Sequence, residues 1–191
     1  MKPVRSLAAL ALALLAAGPA LAHPGHGASF VAGLTHPLSG ADHILAMAAV
    51  GLLAAQRGGR ALWLWPVAFV AAMLGGYGLG VAAPGAPLVE PGVLASVIVL
   101  GAIMAAQART PLAVGAVLIG AFGLTHGYAH GSESPAGARL GFLLGFALTT
   151  ALLHSAGLLM GLAARQTRRP LLVRIAGAGV AAGGLVLALL G

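Results

Sequence analysis

Cysteine is absent from this 191-residue chain, which excludes disulfides, thiolate metal ligation, iron–sulfur clusters and Cys nucleophiles together. Lysine is nearly absent, and the single one, Lys2, precedes an apolar stretch read below as an export signal. A mature chain without lysine holds no retinal or pyridoxal Schiff base and builds no Walker A phosphate loop, so no ATPase domain is expected. Acids are scarce, with three Asp plus Glu against ten Lys plus Arg. Charged residues of either sign make up only 7%, where a soluble domain carries about a quarter. With 60% hydrophobic residues and a mean hydropathy of +1.01, so little charge cannot keep a domain of this size in water. The chain reads as an integral membrane protein. Its 30 glycines follow no three-residue period, so they are neither collagen nor linker. The formal charge of +7 would suggest nucleic acid in a soluble protein. Here the cations cluster between apolar runs and read as topology signals, with no nucleic-acid partner expected.

What is present first organises the chain. Lys2 and Arg5 form a basic start, Leu7 to Ala17 an apolar stretch, and Gly18-Pro19 a breaker. Ala20-Leu21-Ala22 then supplies a small-x-small cleavage site before His23, so residues 1–22 are expected to be a signal peptide. The rest, 23–191, is expected to be one membrane domain of six spans, near 29–55, 61–83, 91–107, 111–131, 138–164 and 170–190. The expected fold class is all-α, an integral membrane bundle of six transmembrane helices, because backbone inside lipid must satisfy its own hydrogen bonds. The connections near 56–60, 107–110 and 164–170 carry Arg57, Arg60, Arg109, Arg165, Arg168 and Arg169, and Arg174 can snorkel to the same side. The opposite connections carry Glu90 and Glu133, with Arg139 at the edge. The positive-inside rule then places the arginine side in the cytoplasm and the mature N-terminus outside it. Gly76-x-x-x-Gly80 and Gly179-x-x-x-Gly183 read as small-residue faces for close helix approach, which would also permit a homo-oligomer.

Seven histidines outnumber the acids by more than two to one, and ionisable residues within spans are the first place to look for function. The first span holds His36, Asp42 and His43, the fourth His126 and His130 with Glu133 at its outer end, and the fifth His154. On a helix His126, His130 and Glu133 share one face, as do His36 and His43, with Asp42 about a third of a turn away. Pro37 and Gly40 between the two histidines predict a kink or unwound stretch that would swing Asp42 inward. The expected picture is a ladder of imidazoles and carboxylates descending from the outer face, His43 roughly 10 Å below His36 and His154 deeper. Imidazole and carboxylate without sulfur suit Ni(II), Co(II), Zn(II) or Cu(II). A proton relay is the main alternative use of such groups. His23 and His26, at the expected mature N-terminus, form a further candidate for metal capture. Gly33-Leu34-Thr35-His36 and Gly123-Leu124-Thr125-His126 repeat one tetrapeptide three spans apart.

His36-x5-Asp42-His43 and His126-Gly127-x-Ala129-His130-Gly131-x-Glu133 resemble the paired signatures of the hydrogenase/urease accessory nickel permeases, the HupE/UreJ family. The resemblance extends over essentially the whole chain. It departs at Thr125, where the family is associated with an aromatic before the first histidine of the second motif. The resemblance implies Ni(II) as transported substrate, with Co(II) admissible, no prosthetic group, and no enzymatic activity. By position it implies metal-handling roles for His36, Asp42, His43, His126, His130 and Glu133. The residue chemistry alone also admits an intramembrane metalloenzyme, with a His-bound zinc and Glu133 or Asp42 as base.

Overall fold

A computed structural model describes residues 30–87, 89–134, 139–167 and 170–190. The expected signal peptide, His23, His26, Arg168 and Arg169 lie outside the described residues. Within them the architecture is all-helical, with seven helices: α1 Phe30–Ser39, α2 Ala41–Arg57, α3 Ala61–Ala82, α4 Val89–Ala106, α5 Leu112–Glu133, α6 Arg139–Gln166 and α7 Pro170–Leu190. Five of these, α3 to α7, are long and apolar enough to cross a membrane. The pair α1 and α2 makes a sixth span if counted as one, bent by 87° at its break. The outer surface suits lipid, with Val117, Leu140, Leu159 and Leu189 among its exposed side chains. This is a multi-pass membrane protein.

The bend follows from local chemistry. Pro37 has no N–H to give to the carbonyl of Gly33, and Gly40 takes an extended conformation (φ −109°, ψ 126°) that stops α1. The two loosened ends find other partners. Ser39 donates to the His36 carbonyl at 2.6 Å, and Thr149 of α6 donates to the Leu34 carbonyl at 2.7 Å. Asp42 lies in the first turn of α2, where its negative charge favours the helix dipole.

Helices pair through glycine. Trp65, Phe69, Met73 and Tyr77 form an i, i+4 stripe on α3, each almost wholly buried. They face Gly115, Gly123, Gly127 and Gly131 of α5, so tightly that a Cβ on Gly127 would overlap the Met73 carbonyl. Gly76 and Gly80 of α3 return the fit against the carbonyls of Leu124 and Tyr128. The expectation for α7 holds in part: Gly183 meets Leu45 of α2, but Gly179 faces open space, and Gly177 and Gly184 are the glycines that meet α4. A helical pattern of small residues does not by itself show which face meets a neighbour. The central helix is α2, which touches α3, α4, α6 and α7 and buries Ala46, Met47, Ala49 and Val50 completely.

The bundle thus has two chemically distinct ends. His36, Asp42, His130, Glu133 and the start of α4 with Glu90 stand at one, and Arg57, Arg109 and Arg165 at the other.

Candidate metal site

Three helices deliver the polar side chains at the histidine end. His36 stands on the last turn of α1, Asp42 and His43 on the first turn of α2, and His126, His130 and Glu133 on the last two turns of α5. Gly127 and Gly131 seat α5 against α3, which turns the intervening histidine face toward the bundle interior. His126 and His130 are buried there, at 0% and 3% exposure.

The break between α1 and α2 changes the expected spacing of His36 and His43. His36 and His43 do not sit two turns apart on one continuous helix. The chain turns through 87° there, and their ring centroids lie 6.3 Å apart with His130 between them. His36 Nε2 is 2.9 Å from His130 Nδ1, and His43 Nε2 is 2.6 Å from His130 Nε2. Asp42 Oδ1 lies 2.8 Å from His43 Nδ1 and also accepts from the His43 backbone N–H at 2.9 Å. One consistent assignment of protons runs through the whole set. The carboxylate accepts from His43 Nδ1–H, His43 Nε2 accepts from His130 Nε2–H, and His130 Nδ1 accepts from His36 Nε2–H. Every imidazole is then neutral, as ligation of a cation requires.

Asp42 is accordingly an orienting partner of His43. A carboxylate hydrogen-bonded to one ring nitrogen fixes the tautomer and raises the basicity of the other. Glu133 is the most exposed member of the group at 65%, with a carboxylate oxygen 3.9 Å from His130 Nδ1. His36, His130 and Glu133 offer ligand atoms within 4.8 Å of one another, a spacing at which small rotamer changes would bring them onto one ion. Phe142 and Phe146 of α6 wall the group, with centroids 5.3 Å from His36 and 4.4 Å from His130 respectively.

Below this level two more imidazoles continue into the bundle. His126 has its centroid 5.4 Å from that of His43. Its Nδ1–H donates to the Phe122 carbonyl at 2.8 Å, which leaves Nε2 as a lone pair, buried and without a partner. Phe69 follows, 5.3 Å from His126 and 5.0 Å from His154, an aromatic ring set between two imidazoles. His154 is 2% exposed and neither of its ring nitrogens has a partner. An unpaired buried polar group costs about 1–3 kcal/mol, so these three orphan nitrogens need a reason to be there.

The structure therefore brings His36, Asp42, His43, His130 and Glu133 into one cluster and sets His126 and His154 beneath it. Sequence reasoning missed the aromatic residues Phe69, Phe142 and Phe146, since nothing distinguishes an apolar ring at a site from one in a core until the helices are packed.

Fold and site together define a multi-pass helical membrane protein with clustered imidazoles at one end of its bundle. The profile of the family described as HupE / UreJ protein matches residues 10–187. Protein HupE of Rhizobium leguminosarum bv. viciae is 40% identical over 190 residues, covering 97% of this chain and 96% of its own. The chain belongs to the HupE/UreJ family. No solved structure matches it.

Proposed function

We propose that this chain is a nickel permease of the bacterial inner membrane. It moves Ni(II), with Co(II) as a chemically admissible second cargo, from periplasm to cytoplasm for nickel enzymes. Residues 1–22 act as a cleaved export signal in this reading, and His23 and His26 then stand on the side where the ion arrives. The observation that carries the proposal is the line of imidazoles, three gathered at one end and two more below, with unpaired nitrogens on the inner pair. Membership of the HupE/UreJ family supports nickel as the ion.

The chemistry follows the geometry. Exposed Glu133 meets the hydrated cation, and its negative charge offsets part of the cost of dehydration. His36 and His130 replace water as ligands, and His43, held by Asp42, supplies the next nitrogen. His126 Nε2 and then His154 take the ion inward as lone pairs in an otherwise apolar interior. Entry needs no nucleotide, since an inward-negative potential is worth about 2.3 kcal/mol per charge per 100 mV.

Radiolabelled nickel uptake tests this. His36→Ala, Asp42→Ala and His130→Ala should each lower uptake by about tenfold or more, given roughly 1.5–3 kcal/mol for a contact to a charged partner. Undiminished uptake in all three, at normal membrane levels, refutes the proposal.

A further inference from the structure

At the arginine end a cavity of about 670 Å³ opens between α2, α3, α6, α7 and the α4–α5 connection. Arg57, Arg109 and Arg165 all line it. The arrangement is built. Arg57 donates from Nε to the Thr110 carbonyl at 3.2 Å, and Arg165 donates from Nη1 to the Ala55 carbonyl at 2.8 Å. Gly58, in the left-handed region at φ 70°, leaves the room Arg165 occupies, since a Cβ there would lie 2.7 Å from Nη1. Arg109 is presented by a connection whose first residue, Gln107, is the one non-glycine residue with positive φ among those described (51°). Such backbone is uncommon and clusters at ligand sites. Gln56 also lines the cavity, and its Oε1 is buried without a hydrogen-bond partner.

The three guanidinium groups have no carboxylate to answer them. The chain's only acidic side chains are Asp42, Glu90 and Glu133, all at the opposite end. The positive-inside rule accounts for arginine at this end of the spans, but not for three of them lining one cavity. We propose that the cavity binds a phosphate-class anion, as a phospholipid headgroup or a free phosphate ester. Guanidinium forks match phosphate oxygens in bidentate pairs, and basic pockets between transmembrane helices take phospholipid headgroups. A glycerophosphate fits the remaining feature, because its hydroxyl would donate to Gln56 Oε1. The site stands on this cavity alone. Its consequence rests on the permease reading, in which a divalent cation leaves through this end and the bound anion lowers the positive field it meets.

The test titrates purified protein in neutral detergent and counts bound molecules by native mass spectrometry. The probes are dioctanoyl phosphatidylglycerol, dioctanoyl phosphatidylcholine, glycerol 3-phosphate and inorganic phosphate. The wild type should bind phosphatidylglycerol one to one and phosphatidylcholine far more weakly. Competition by glycerol 3-phosphate or inorganic phosphate assigns the site to a soluble anion, and its absence assigns it to the lipid headgroup. Arg109→Gln, which removes no hydrogen bond among the described residues, should weaken binding about tenfold. Arg109→Lys, which keeps charge and loses the fork, should fall between. The triple change to Gln at 57, 109 and 165 should abolish binding, and if it fails to fold the two Arg109 variants decide. Equal affinity in wild type and Arg109→Gln, or equal binding of phosphatidylcholine, overturns the site. Loss of the permease reading, seen as no nickel uptake by wild-type proteoliposomes, would leave these binding results standing.

Discussion

His154 shows how far one side chain can be at odds with its surroundings. It is almost wholly buried between apolar helices, and both ring nitrogens lack partners. A leucine of similar bulk would remove that penalty, so His154→Leu should raise the melting temperature in detergent by a few degrees, for about 1–3 kcal/mol. The same change should lower nickel uptake by about tenfold while the outer cluster of His36, His43 and His130 still binds nickel. A variant that is stabilised and transports normally would remove His154 from the path. Asp42 makes the complementary case. Its carboxylate is engaged with His43 through both the ring and the backbone N–H, so its importance lies in the ring it orients.

At the scale of helices, glycine decides which surfaces meet. The repeated Gly-Leu-Thr-His tetrapeptide acquires a packing explanation: Gly33 rests on the Phe142 carbonyl and Gly123 on the Phe69 carbonyl. In each copy the glycine seats a neighbouring helix, and the histidine three residues on points to the bundle interior. Gly127→Val should therefore destabilise the protein by about 3 kcal/mol or more, because the obstacle is the Met73 backbone, which cannot rotate away as a side chain can. Gly78→Ala faces open space and should leave the melting temperature within a degree or two. Thermal unfolding of the two variants side by side reads this directly, and equal stability would mean that α3 and α5 do not meet along this seam. The broken α1–α2 pair belongs to the same scale. Without its 87° bend, His36 and His43 would face different levels of the bundle.

For the molecule as a whole, the polarity between ends matters most. The outer imidazoles and the carboxylates occupy one end and Arg57, Arg109 and Arg165 the other, with an apolar core around α2 between them. Transport through neutral imidazoles carries a pH signature. A protonated ring has no lone pair to give, so uptake should fall as acid protonates the imidazoles. Nickel uptake into proteoliposomes at constant free nickel and constant membrane potential, followed downward from neutral pH, checks this. Uptake that rises toward acid would remove the imidazoles as ligands in transit.

Composition and periodicity by themselves determine that this is a helical membrane protein, because 7% charge and long apolar runs leave no other solvent and no other backbone solution. Helix limits follow closely too: 61–83 against Ala61–Ala82, and 170–190 against Pro170–Leu190. The scarcity of ionisable groups was enough to single out His36, Asp42, His43, His126, His130 and Glu133. What only the tertiary structure decided is who meets whom. Pro37 and Gly40 announce a break, but its angle depends on where α6 offers Thr149 and on how α5 sits in its glycine seam. The collapse of an expected ladder into a three-ring cluster, the place of Phe69 between two imidazoles, and the convergence of three arginines on one cavity are contacts between distant segments. One-dimensional spacing carries depth along a helix; it carries no information about rotation against a neighbour.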